Sequence, residues 1–110
     1  MHNWRYPSEK LYDACLVAIG NSERPQERLR SAAWDVSLLL HNAEIPDEDL
    51  RRRMEQLVAT CSSKPSQGAG TLPATTSQMT DEAAGGLLRE VFSIFVKVAE
   101  LEALEGQHLL

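Results

Sequence analysis

Between positions 87 and 101 the chain repeats large apolar side chains in an alternation that constrains its fold more than any other feature. Leu87, Val91, Ile94, Val98 and Leu101 step by 4, 3, 4 and 3, which returns each side chain to one stripe of an α-helix and matches a coiled-coil seam. Beside it, Leu88, Phe92, Phe95 and Ala99 form a second line shifted by one position. Together with Val96 the two lines cover an arc well over the roughly 100° that a surface helix turns toward its core. A small bundle has few helices with which to cover that width. Three readings follow: a helix central to the monomer, a homodimer seam, or a groove for another protein's helix. The homodimer is the leading expectation.

The rest of the chain reads as three more helices. Leu11, Tyr12, Cys15, Leu16 and Ile19 follow one helical face over about 8–19, and Gly20 and Asn21 are suited to stop it. Ahead of it, positions 3–7 read as an irregular lead-in whose Trp4 and Tyr6 rings cap one end of the core. A second helix over about 23–42 opens at Ser22 or Glu23, with Pro25 in its first turn and Glu27 near its positive end. Leu29, Ala32, Ala33, Val36 and Leu40 share one side of it, whereas Trp34, Leu38 and His41 fall nearly opposite. Two non-polar faces on one helix suggest a second contact surface, or packing against the segment over 62–79. Pro46 breaks the chain, and Asp47 is suited to cap a third helix over about 47–61 with the stripe Leu50, Met54, Leu57, Val58 and Cys61.

Composition changes over 62–79 to Ser, Thr, Gly and Pro, the mark of a flexible loop. Its 18 residues span up to about 60 Å when extended, so they leave the direction of the last helix open. That helix runs over about 80–105, with Thr80 as N-cap, Asp81 and Glu82 in the first turn and Gly106 as its stop. Gly85 and Gly86 interrupt its helix-favouring text at roughly 1 kcal/mol each. The preferred explanation is close approach by a neighbouring backbone, ahead of an anion-binding turn. The expected fold class is all-α: a single four-helix bundle-like domain with a long Ser/Gly/Pro/Thr-rich loop between helices 3 and 4.

The 110 residues fit one domain, and aromatics at 5% favour helix over a sheet-rich domain. A net charge of −5, from 11 Lys and Arg against 16 Asp and Glu, opposes association with phosphate backbones or anionic lipid. No nucleic-acid or membrane partner is therefore expected. No run approaches the roughly 18 apolar residues of a membrane span, and positions 1–10 lack a secretory apolar stretch, so the expectation is a cytoplasmic protein. Cys15 and Cys61 lack the paired spacing of a zinc site and sit within apolar helical repeats, as buried thiols do.

Chemistry leaves little trace. Arg51, Arg52 and Arg53 resemble a basic patch, yet Asp47, Glu48 and Asp49 stand four residues earlier and are expected to pair with them. Of the histidines, His2 and His108 lie near the termini, and His41 lacks the partner spacing of a metal or catalytic pair. Glu90, Glu100, Glu102 and Glu105 read as surface positions. No nucleophile with a base in reach is recognisable.

Four stretches, Glu9-Lys10-Leu11 with Ala14, Gln26-Glu27-Arg28-Leu29, Ile45-Pro46-Asp47-Glu48-Asp49-Leu50-Arg51 and Met79-Thr80-Asp81-Glu82-Ala83, carry a resemblance over about half the chain. It is similar to small all-helical bacterial proteins with no assigned function. The resemblance implies the helical layout and a bacterial cytoplasmic setting, and no activity.

The expected function is a non-catalytic protein-interaction module, a small adaptor or regulatory subunit without cofactor, whose partner is itself or another helical protein. Its candidate interface is Leu87, Val91, Ile94, Val98 and Leu101, with Trp34, Leu38 and His41. The alternatives are an acidic, antitoxin-like inhibitor of a basic site and, more remotely, a small enzyme whose site leaves no linear motif.

Overall fold

A computed structural model describes residues 4–20, 24–64 and 70–108. Among the described residues there are five helices: α1 (Arg5–Gly20), α2 (Pro25–Asn42), α3 (Glu48–Cys61), α4 (Thr71–Thr76) and α5 (Asp81–His108). The all-α expectation holds. The helix count does not, because part of the expected loop is helical.

Helix boundaries follow local chemistry. Asp47 caps α3 by accepting a hydrogen bond from the Leu50 amide at 2.8 Å, and Thr80 caps α5 by accepting one from the Ala83 amide at 3.1 Å. Pro25 occupies the first turn of α2, where a missing N–H is harmless. The expected opening of this helix at Ser22 or Glu23, and the Asn21 stop before it, lie outside the described residues.

The irregular lead-in expected over 3–7 is corrected in part. The helix already begins at Arg5, since Pro7 falls in a first turn that needs no N–H from it. Trp4 is buried as expected, but Tyr6 faces solvent. At the other end of the chain α5 passes the expected stop at Gly106 and runs to His108. One glycine near the end of a long helix costs only about 1 kcal/mol.

α4 shows how poor helix-formers are held. Thr75 and Thr76 are buried, and their hydroxyls donate back to the carbonyls of Thr71 and Leu72 at 2.7 and 2.9 Å, satisfying polar groups that burial would otherwise penalise. Leu72 enters the core. The Thr75 hydroxyl also accepts from the Lys64 amide at 2.9 Å, which ties α4 to the end of α3. Gly70 precedes α4 with φ +97°, a conformation that side chains disfavour.

α2 packs against each of the other four helices, with α1 and α3 on its flanks and α5 touching all three. Arg53 on α3 meets Glu90 and Ser93 on α5, whereas Thr60, further along α3, shares a groove with Leu87. α5 therefore runs antiparallel to α3. Leu29, Ala32, Ala33, Val36 and Leu39 of α2 form the centre of the core, joined by Leu50, Met54, Leu57 and Cys61 of α3. On α2 it is Leu39 that is buried, and Leu40 only packs against the core's edge.

Gly85 and Gly86 have no neighbouring backbone pressed against them. A Cβ added at either would meet only the Arg89 guanidinium, at 4.0 and 3.8 Å. The expected close approach is absent, and both glycines lie within continuous helix.

Candidate interaction surfaces

The 4-3-4-3 stripe of α5 is the core-facing side of that helix. Val91, Ile94 and Val98 are fully buried within a single chain, and Leu87 and Leu101 are half-buried against the same core. This corrects the expectation that the stripe forms an external seam: α1, α2 and α3 of the same chain all pack against α5, and the middle of the stripe is already covered, each buried side chain contributing roughly 1.5–3 kcal/mol. Three of the candidate interface residues are thus unavailable to a partner without opening the fold.

The second line behaves differently. Leu88 is buried, but Phe92, Phe95 and Ala99 are only half-buried and Val96 is 52% exposed. On the neighbouring α1, Tyr12 and Leu16 remain 52% and 49% exposed, although their spacing placed them with Leu11 and Cys15. α1 lies on a flank, and among its described side chains the covered arc runs through Pro7, Leu11 and Cys15, in line with Trp4 just before it. Ile19, the last member of that expected face, has a side chain outside those described. The Tyr12 and Phe95 rings join the two helices, their centroids 6.0 Å apart and planes inclined by 50°, a favourable tilted aromatic contact. Leu16 follows Tyr12 by one turn, and Phe92 and Ala99 lie one turn to either side of Phe95. The result is an apolar strip along the α1–α5 edge, one that spacing alone did not single out.

Trp34, Leu38 and His41 are all at the surface of α2, as their position opposite the core face requires; Trp34 is 55% exposed and Leu38 40%. They do not adjoin the α5 stripe. Leu38 shares a narrow cleft with Tyr6, Lys10, Asp13 and Asp35, where the Lys10 ammonium sits 5.6 Å above the Tyr6 ring. Partial burial is the main cause that raises the Asp35 pKa above the usual aspartate value; the Asp13 charge raises it further and the Lys10 charge opposes both.

The arginine triplet is paired, but only Arg52 finds one of the three acids expected to neutralise it, Asp49, at a spacing of three residues instead of four. Arg51 pairs with Glu55 at 3.4 Å, Arg52 with Asp49 at 3.6 Å, and Arg53 crosses to Glu90. Asp47 serves as the helix cap instead. Cys15 and Cys61 are buried free thiols, and burial pushes both pKa values up to about 11. Their thiolate fraction at neutral pH is correspondingly small.

Among the described residues no group of three or more His, Cys, Asp or Glu side chains comes together to hold a metal ion, and no helix is long and apolar enough to cross a membrane. Comparison of the chain with protein-family models, curated proteins and solved structures finds no match among them.

Proposed function

We propose that the protein is a non-catalytic interaction module, a small adaptor or regulatory subunit, that pairs with a second copy of itself along the α1–α5 edge. The carrying observation is the apolar strip of Tyr12, Leu16, Phe95 and Val96, which stays open to water beside a core that is already closed. Open apolar strips of this kind mark contact surfaces. In this reading α1, α2, α3 and α5 form a four-helix bundle, α4 braces the connection between α3 and α5, and the pairing surface moves from the buried stripe of α5 to its second line. A cytoplasmic setting agrees with two buried, unbridged thiols.

The test is light scattering over a micromolar concentration range. The reading expects a mass near twice the 12.2 kDa of one chain, and a single-chain mass for Leu16→Glu and Val96→Glu with unchanged helical circular dichroism. A single-chain mass for the unaltered protein throughout that range would overturn it.

A further inference from the structure

A cleft of about 510 Å³ opens between α2 and the start of α4, away from the proposed pairing strip on α1 and α5. Its volume falls within the roughly 300–1,000 Å³ of small-molecule sites. One wall carries the exposed indole of Trp34, and Pro73 stands among the residues lining the cleft from the α4 side. Arg30 also lines the cleft and lies one turn before Trp34 on α2, a spacing that puts guanidinium and indole on the same face. Ser31, Ser37, Ser62 and Thr71 are the hydroxyl-bearing residues among the cleft's lining.

The charge pattern is selective. Acidic residues outnumber basic ones 16 to 11 over the chain, yet no carboxylate is among the described residues lining this cleft. Arg5, Arg51, Arg52 and Arg53 each hold a carboxylate; Arg30 has no such partner among the described residues. An indole, a guanidinium side chain and several hydroxyl-bearing residues thus line one cavity. A guanidinium binds a carboxylate through two parallel hydrogen bonds, and an indole face takes up a flat ring by stacking or tilted contact.

We infer that this cleft binds a small planar aromatic carboxylate, its ring against Trp34 and its carboxylate on Arg30. A cationic ligand would find no counter-charge among the described lining residues. An aliphatic acid would leave the indole wet.

The experiment titrates naphthoate and, separately, its neutral amide into the full chain, following the two tryptophan indole N–H signals by proton NMR. The Trp34 signal is assigned with Trp34→Phe, and buried Trp4 reports on the integrity of the fold. The expected result is a saturable shift of the Trp34 signal alone, with naphthamide binding about tenfold more weakly than naphthoate, the loss of one charge-assisted contact. Arg30→Gln should reduce naphthoate to the affinity of the amide and leave the amide unaffected. No saturable Trp34 shift, equal affinity for acid and amide, or an Arg30→Gln variant that binds naphthoate as before would each overturn the assignment. Oligomeric mass plays no part in this readout, so the pairing proposal and the ligand site fail independently.

Discussion

Ile94 and Val96 are two residues apart on α5 and stand on opposite sides of the boundary with water: Ile94 is fully buried, and Val96 is half exposed. An offset of two residues rotates a side chain by about 200° around a helix, so one register separates core from surface. Substituting Asp at each position should divide folding from association. Ile94→Asp buries an unpaired charge and should destabilise the monomer by about 3 kcal/mol or more. Val96→Asp should alter folding stability by only about 0.5 kcal/mol while dissociating the proposed pair. Urea unfolding and light scattering on the two variants measure these effects separately; loss of folding in Val96→Asp would contradict the assigned register.

Gly85 and Gly86 make a second contrast between sequence text and packing. Both lie in continuous helix, and an added methyl group would meet nothing nearer than a flexible arginine tip. Alanine at either position should therefore stabilise the protein by about 0.5–1 kcal/mol, through helix propensity and a less disordered unfolded chain. Thermal unfolding should show a rise in Tm of about 4 °C per substitution. A fall would reveal a close neighbour that the packing does not contain.

How much of this was legible in the sequence depends on the element. Helix ends marked by side-chain chemistry, at Asp47 and Thr80, appear where their capping groups predict. The stripe of α5 was visible as a stripe, but periodicity states only that Val91, Ile94 and Val98 share a face, and not whether another helix of the same chain covers it. The same blindness affected α1, where Tyr12 and Leu16 share a broad apolar arc with Leu11 and Cys15, and a flanking position leaves part of that arc uncovered. α4 was illegible for a different reason. Thr-Leu-Pro-Ala-Thr-Thr has weak intrinsic helix preference, and its helix rests on burial of Leu72 and on hydroxyls bonding back to their own turn, neither of which local propensity records. The cleft beside Trp34 joins residues some forty positions apart, and no spacing rule reaches that far.

Gln26 ties the start of α2 to the start of α5. Its buried Nε2 donates to the Met79 carbonyl at 2.9 Å and to Asp81 Oδ1 at 2.7 Å. Gln26→Ala should remove both bonds and leave a small void, destabilising the fold by about 2 kcal/mol. A double-mutant cycle with Asp81→Ala should give a coupling of about 1 kcal/mol. Zero coupling in denaturant titrations would show that the carboxylate is not held.

The thiols of Cys15 and Cys61 should be slow toward disulfide reagents in the folded protein. With pKa values raised from 9.0 to about 11 by burial, the thiolate population at mildly alkaline pH falls roughly a hundredfold, before any barrier to access. Both groups should react at ordinary rates once urea unfolds the chain, and the native rate should rise with pH beyond the range of a free cysteine. Rapid native labelling of either residue would place that thiol at the surface.

Asp35 carries the clearest pH dependence. Burial, with the negative charge of Asp13 adding to it and Lys10 opposing, raises its folded-state pKa above the ordinary aspartate value. A raised pKa means that the folded protein holds this proton more tightly than the unfolded chain, so stability contributed here decreases as pH climbs through the interval between the two values. Above that interval the buried carboxylate is a constant penalty; below it, the penalty disappears. Asp35→Asn should therefore stabilise the protein at neutral pH and make no difference in acid below the aspartate range. The group is partly open to solvent, which screens the effect, and a gain in Tm of about 2 °C is expected at neutral pH. Paired thermal melts of the two proteins across pH measure it directly. A gain that persists unchanged into acid would assign the effect to packing of the amide, and a loss at neutral pH would show that the Lys10 ammonium holds the carboxylate more strongly than burial and Asp13 oppose it.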